Sequence, residues 1–167
     1  IDVSESPNLR VLHCNGNNIE NLYASNCSAL SSFECQRNLL KHIDVSGCVS
    51  LTKLWCDDNL LTNIDLNGLE NIRELSCENN PALKHIDVSN CINLYSIESS
   101  FCPQLENIEL TNCSSIENLL LWESALTNLN FEDCIKLKTL SLSSDKMAAL
   151  ECKNHKYLEN VTVSGAY

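Results

Sequence analysis

One apolar position recurs every 21 or 22 residues along the whole chain. It is occupied by Leu9, Leu30, Leu51, Ile72, Leu94, Ile116, Leu137 and Leu158. A repeat of this length cannot bury its apolar face alone, so neighbouring repeats must stack to form a continuous core. The period therefore predicts a solenoid, in which function is to be sought on the surface.

Each repeat carries the same pattern, which is clearest in residues 51–59, LTKLWCDDN, and reads Leu-x-x-Leu-x-Cys-x-x-Asn. This pattern is the signature of leucine-rich repeats. A second copy follows within the same repeat, from Leu61 through Ile64 and Leu66 to Leu69. Alternation at period two in both halves favours a strand in each half. We predict a mainly β leucine-rich repeat solenoid of about eight right-handed coils, with two facing parallel β-sheets and little or no helix.

The alternation of 11- and 10-residue units closely resembles the bacterial class of leucine-rich repeats called IRREKO, whose pattern is LxxLxCxxNxLxxLDLS. The residues that carry the resemblance are LTKLWCDDNLLTNIDLN at 51–67 and IRELSCENNPALKHIDVSN at 72–90. The resemblance covers essentially the whole chain and implies the repeat fold. It also implies a bacterial protein that is extracellular or on the cell surface. It implies no particular activity, since fold alone does not fix function.

The repeats predict one array over residues 1–167. The first residues, IDVSESPNL, match the mid-repeat phrase IDVSGCVSL at 43–51, and the last repeat stops after ENVTVSGAY. We therefore expect a fragment of a longer protein, truncated at both ends and without its capping segments. Uncapped ends leave two oligomeric possibilities open, a monomer or end-to-end stacking.

Composition excludes several classes of partner. The formal net charge of −11 argues against nucleic acid, whose binding depends on clustered Lys and Arg, and against an anionic membrane surface. No apolar run approaches 18 residues, so membrane insertion is not expected.

The eleven cysteines fall at repeated positions. Cys14, Cys35, Cys56 and Cys77 share the inward sixth position of the first half of the repeat. Another column, at the corner of the second half, contains Cys27, Cys48, Cys91, Cys113 and Cys134. We expect buried free thiols that act as small apolar groups and weak donors. Metal is not expected, because ligands in single file cannot converge on one ion.

The outward face of the first half carries both tryptophans. Leu120 and Trp122 lie on one predicted strand, with Phe101 on the neighbouring corner, whereas Trp55 stands apart and Glu98 contributes to an acidic rim. Exposed aromatics on a rigid sheet are typical interface anchors. We predict that these five residues bind a partner. In the alternative, Trp122 folds over the edge of the sheet or covers neighbouring repeats.

The outward face of the second half carries a carboxylate column: Asp44, Asp65, Asp87 and Glu109. Unit charges about 4.8 Å apart repel by only about 0.9 kcal/mol in water, so the column is tolerable without a cation. Whether it binds cations stays open at this point. We expect each Asp to bond neighbours such as Ser46, and His42 and His85 to be surface partners of Asp44 and Asp87.

No glycine-rich phosphate loop, HExxH or GxSxG motif occurs in the sequence, and no constellation of catalytic groups is evident. We expect no enzymatic activity and no cofactor. The favoured function is a non-enzymatic binding module that presents a rigid β face, with a protein ligand preferred over a glycan. The alternative is a structural spacer within a larger surface or secreted protein.

Overall fold

The computed structural model describes residues 1–165 as a β-solenoid of eleven strands, with no helix in that part of the chain. The strands are β1 (Val11–His13), β2 (Ser32–Glu34), β3 (Lys53–Trp55), β4 (Asn63–Asp65), β5 (Glu74–Ser76), β6 (His85–Asp87), β7 (Ser96–Glu98), β8 (Asn107–Glu109), β9 (Asn118–Ser124), β10 (Thr139–Ser144) and β11 (Asn160–Ser164). Ala166 and Tyr167, the end of the last predicted repeat, lie outside the described residues.

The strands form two parallel sheets. The first sheet has eight strands in the order β1-β2-β3-β5-β7-β9-β10-β11, and the second has three in the order β4-β6-β8. Strands that pair are one coil apart, so Leu54 of β3 lies opposite Leu75 of β5, and Ile64 of β4 lies opposite Ile86 of β6. The predicted leucine-rich repeat solenoid with two parallel sheets is confirmed.

The core is a continuous stack of the predicted inward residues. Most strands present three residues, of which only the middle one points inward, so each coil adds one apolar layer from each sheet. Leu54, Leu75 and Ile86 are almost completely buried. They belong to one apolar cluster that includes ten of the cysteines. The period-two alternation thus sets which side chains remain outside.

The second sheet is shorter than the sequence predicts. Before β4 it is reduced to single bridging residues, Tyr23 with Asp2 and with Asp44. Beyond β8, residues 128–130 and 149–151 form no strand. In these later coils the first-sheet strands β9 and β10 span seven and six residues instead of three. Because the repeat length is unchanged, fewer residues remain for a strand on the opposite wall.

Asparagine side chains close the corner that follows the first sheet. Asn59 is buried, and its Nδ2 donates to the carbonyls of Cys35, Cys56 and Asp57 at 3.1 Å each. Its Oδ1 accepts the backbone N–H of Leu40 at 3.0 Å. Asn38 and Asn80 repeat this arrangement one coil away on either side. The corner amides therefore satisfy buried backbone groups that the short strands leave unpaired.

The cysteines form two ladders that run in opposite directions. On the first-sheet wall the Cys35 thiol donates forward, to the Trp55 carbonyl of the next coil, with a sulfur–oxygen distance of 3.6 Å. At the second corner Cys48 and Cys91 donate backward, to the Ala24 and Leu66 carbonyls of the preceding coil, at 3.2 and 3.1 Å. Cys35 and Cys48 thus tie their coil to both of its neighbours, on different walls. All eleven cysteines are held as thiols, ten of them buried.

Candidate functional site

The outer face of the first sheet carries the predicted binding residues. Leu120 and Trp122 of β9 and Trp55 of β3 are half-buried rather than fully exposed. Phe101, on the corner after β7, is 47% exposed. The side chains therefore point outward as predicted, but the tryptophan rings lie partly against the sheet.

A shallow groove of about 380 Å³ opens around Ser76 on this face, and we call it the acidic groove. Its lining consists of Gln36, Trp55, Asp57, Glu74, Leu75, Ser76, Tyr95, Ser96 and Glu98. Ser76 lies between Trp55 and Glu98 in the strand register. The groove exists because small serines form the floor between larger residues on the neighbouring strands.

Several polar contacts fix the walls of the acidic groove. The Ser76 hydroxyl and the Glu78 backbone N–H, at 2.9 Å, both donate to Oδ1 of Asp57. The Tyr95 hydroxyl donates to Glu74. No hydrogen bond holds the Glu98 carboxylate within the described residues. One carboxylate on each of three neighbouring strands or corners thus faces a floor without a lining Lys or Arg.

A cation already lies on Trp55 at the edge of the acidic groove. Nζ of Lys53 is 3.2 Å from the Trp55 ring centroid and 2.9 Å from Oε1 of Glu34. Attraction between a cation and an aromatic ring is strongest for tryptophan. The pair shows that, at this edge of the groove, an aromatic ring and the Glu34 carboxylate hold one cation together.

The pKa of Glu78 reports the negative potential beside the acidic groove. Burial and the charges of Asp57 and Glu98 raise the pKa of the Glu78 carboxyl above its ordinary value. Like charges held close together oppose ionisation in this way. Asp57 and Glu98 therefore add, after burial, to the negative potential that Glu78 experiences.

A second hollow, of about 510 Å³, lies beside Trp122, and we call it the Trp122 hollow. It is lined by Pro103, Trp122, Glu123, Ser124, Ala125, Ser143, Asp145, Lys146 and Ser164. Ser141 and Ser143 of β10 occupy outward positions yet are only 8% and 3% exposed. Their larger neighbours on β9, Leu120 and Trp122, account for this shielding. The ring of Trp122 thus forms a wall of the hollow as well as covering the sheet.

Phe101 has an unusual backbone conformation. Its φ is 60°, in the left-handed region, and its N–H donates to the Trp122 carbonyl at 2.8 Å. A bulky residue rarely adopts this conformation, which is comfortable only for Gly and tolerated by Asn and Asp. The same corner position is left-handed in other coils, where it holds Gly16, Arg37, Asp58, Asn79 and Glu123. The sequence thus keeps an exposed aromatic where the backbone favours Gly or Asn.

The carboxylate column of the second sheet has a structural use. Oδ1 of Asp44, Asp65 and Asp87 accepts the backbone N–H two residues ahead, at 2.9, 3.0 and 2.8 Å. These bonds define turns at the second corner, and the predicted bond between Asp44 and Ser46 is confirmed. His85 contacts Asn107 rather than a carboxylate, with 3.3 Å between Nδ1 and the amide nitrogen.

Within residues 1–165, no group of three or more His, Cys, Asp or Glu side chains is arranged to hold a metal ion. The same part of the chain contains no helix that is long and apolar enough to cross a membrane.

The five predicted binding residues fall into two neighbouring places. Trp55 and Glu98 line the acidic groove, and Trp122 lines the Trp122 hollow. Phe101 lies on the corner beside Trp122, and Leu120 lies on β9 next to Glu98 of β7 in the register. The prediction did not include Tyr95, Glu74, Asp57 or Gln36 among the binding residues. The sequence does contain a signal for these residues. Ser76 is a small residue between larger outward side chains on the neighbouring strands, which indicates a groove at this place.

Comparison with solved structures gives a neighbour of the same architecture, the functional domain of InlJ from Listeria monocytogenes, which includes a cysteine ladder. The match has a TM-score of 0.57 and 22% sequence identity, and it covers 94% of this chain and 44% of that one. The chain therefore spans less than half the length of this neighbour. At this identity the likeness concerns the fold: a leucine-rich repeat type of solenoid with stacked cysteines. No protein-family profile matches the sequence, and no curated protein matches it either.

Proposed function

We propose that this protein is a non-enzymatic recognition module that binds another protein through the outer face of the first sheet. The observation that carries the proposal is Phe101, an aromatic side chain 47% exposed and held in a left-handed conformation beside Trp122. The stack imposes the left-handed conformation at this corner, since Arg37, Asp58 and Glu123 share it, but it does not impose an aromatic side chain. Packing does not require Phe at this position, since other coils use Gly, Asn or a charged residue there.

The mechanism is preorganisation. Parallel strands fixed by backbone pairing and by buried corner amides hold the outward side chains in place before a partner arrives. Binding then costs little additional conformational entropy. Aromatic anchors surrounded by polar residues are the usual centre of a protein interface, and Leu120, Trp122 and Phe101 supply such anchors here, with Glu98 on the rim.

The compartment and the class of repeat belong to the same proposal. The motif LxxLxCxxNxLxxLDLS favours the IRREKO class, and that resemblance favours a bacterial protein at the cell surface or outside the cell. Several observations support a recognition role over catalysis: a repeat scaffold, shallow hollows and no metal-ligand cluster within the described residues.

A pair of double variants tests the proposal. We expect Trp122→Ala with Leu120→Ser to lose a protein ligand that the parent retains from bacterial or host surface extracts. Tyr23→Ala with Val49→Ser is the matched control, because it removes an exposed aromatic and an exposed aliphatic side chain elsewhere. The urea midpoint of each variant must lie close to that of the parent.

Retention of the same ligand by both double variants contradicts the proposed site. Retention of no protein by the parent favours the spacer, in which the rod sets a distance between other domains. Binding of a glycan array by the parent, lost in the first variant, would reassign the ligand class.

A further inference from the structure

We propose that the acidic groove binds an arginine side chain of the partner protein. The inference rests on the proposed function only in that both concern the outer face of the first sheet. It concerns a different group of residues, and it names the chemistry of the occupant. The groove lies at β3, β5 and β7, whereas the Trp122 hollow lies at β9 and β10.

The charge of the groove favours a cationic occupant. Asp57, Glu74 and Glu98 line the groove, and no Lys or Arg is among its lining residues. The one nearby cation seen in a defined contact, Lys53, lies over the Trp55 ring and is held by Glu34 at 2.9 Å. The three groove carboxylates therefore have no cationic partner among the lining residues, and a cationic side chain would supply one.

The shape and the surface chemistry of the groove favour a guanidinium group. Trp55 and Tyr95 form aromatic walls, and Ser76 and Ser96 leave room between them. A guanidinium group is planar, stacks on aromatic rings and directs a fork of N–H donors at carboxylates. A lysine ammonium is a compact and strongly hydrated charge, so it would use the carboxylates but less of the aromatic surface.

The groove also contains a hydrogen-bond acceptor that has no donor. Gln36 lines the groove, and its Oε1 atom is buried without a hydrogen-bond partner among the described residues. A buried acceptor without a donor is unfavourable. A guanidinium has five N–H donors, enough to reach a carboxylate and this amide oxygen together. A bare metal ion is a poor alternative, since the described residues hold no cluster of metal-ligating side chains.

The test uses the two indole N–H signals of the ¹⁵N-labelled protein, because Trp55 and Trp122 are its two tryptophans. Trp55→Phe assigns the signals. The probes are three capped tripeptides, acetyl-Gly-X-Gly-amide, in which X is arginine, lysine or citrulline, the neutral isostere of arginine. We expect the arginine peptide to shift the Trp55 signal in a saturable way at about 0.15 M salt, and the Trp122 signal to stay in place.

Two charge variants locate the interaction. Glu98→Gln removes a groove carboxylate that makes no hydrogen bond to a described residue, and we expect it to raise Kd roughly two- to fivefold, as for a partly exposed ion pair. Glu106→Gln removes one charge from an exposed position outside the groove, and we expect Kd to be unchanged. The lysine peptide should bind more weakly than the arginine peptide, and the citrulline peptide should leave Trp55 unaffected.

Four results would overturn the inference: an equal response to citrulline, equal affinity for lysine, equal loss in both charge variants, or no shift of Trp55. None of them bears on the Trp122 site, which the capture experiment tests separately. The failure of the arginine site and the failure of the proposed function are therefore distinguishable.

Discussion

At the scale of single residues, Phe101 is expected to lower the stability of the fold while it contributes to partner binding. Its φ of 60° costs a non-glycine residue about 1 kcal/mol or more, and asparagine tolerates the conformation better. We expect Phe101→Asn to stabilise the protein by about 0.5–1 kcal/mol while weakening partner binding. The urea midpoint measures the first effect.

The matched control for this prediction is the reverse change one coil earlier. Asn79 occupies the equivalent corner with φ of 53°, and Asn79→Phe should destabilise by a similar amount. A fall in the urea midpoint of Phe101→Asn would instead mean that the Phe101 ring contributes packing to the folded state.

The sequence identified the inward residues but not the left-handed ones. Leu54 and Ile86 are recognisable because apolar side chains at period two must face the core. The residue type predicts a left-handed corner only where it is Gly, Asn or Asp, as at Gly16, Gly47 and Asn79. At Arg37, Glu123 and Phe101 the residue type does not indicate a left-handed conformation, since the stack imposes it through hydrogen bonds between neighbouring coils.

At the scale of the structural element, the corner amide is the critical group. Asn59→Ala would remove three donated hydrogen bonds and one accepted bond at a site only 3% exposed. We expect a loss of about 2–4 kcal/mol, because buried backbone groups would be left without partners. Chemical denaturation with urea measures this difference.

A cysteine at the same corner should do less damage. Cys102 occupies the equivalent position in the next coil but one, and its thiol donates to the Cys77 carbonyl at 3.4 Å. We therefore expect Asn59→Cys to cost less than Asn59→Ala. Equal losses from the two variants would show that the thiol at this corner acts only as an apolar filler.

The sequence predicts the order of the strands better than it predicts their lengths. The pattern predicts a short strand in every half-repeat, yet β9 runs for seven residues and the opposite wall of the later coils has no strand. In β9 and β10, leucine replaces cysteine at the inward sixth position, as Leu121 and Leu142. Two consecutive inward leucines per strand support a longer strand, but a single sequence does not show that the opposite strand is lost in return.

At the scale of the whole molecule, the solenoid shields almost all of its thiols. Burial raises the pKa of Cys91 to about 12 and that of Cys102 and Cys113 to about 11. Because the thiolate is the reactive form, we expect the folded protein to resist iodoacetamide at pH 8. Cys152, the half-buried thiol, should react first.

Intact mass after timed alkylation checks this prediction, with a urea-unfolded sample as the control in which all eleven thiols react. Early modification of several cysteines in the folded protein would contradict the ladder arrangement. A mass lower by two hydrogen atoms per bridge before alkylation, under non-reducing conditions, would reveal disulfides in place of free thiols.

The unbroken pairing of strands in the first sheet has a mechanical consequence. The acidic groove and the Trp122 hollow lie on β3, β5, β7, β9 and β10, which follow one another directly in the sheet. The backbone hydrogen bonds between these strands would have to break before the two sites could move apart. The acidic groove and the Trp122 hollow therefore keep a fixed separation along the first sheet. A partner that contacts both sites must present its arginine and its apolar surface at that spacing.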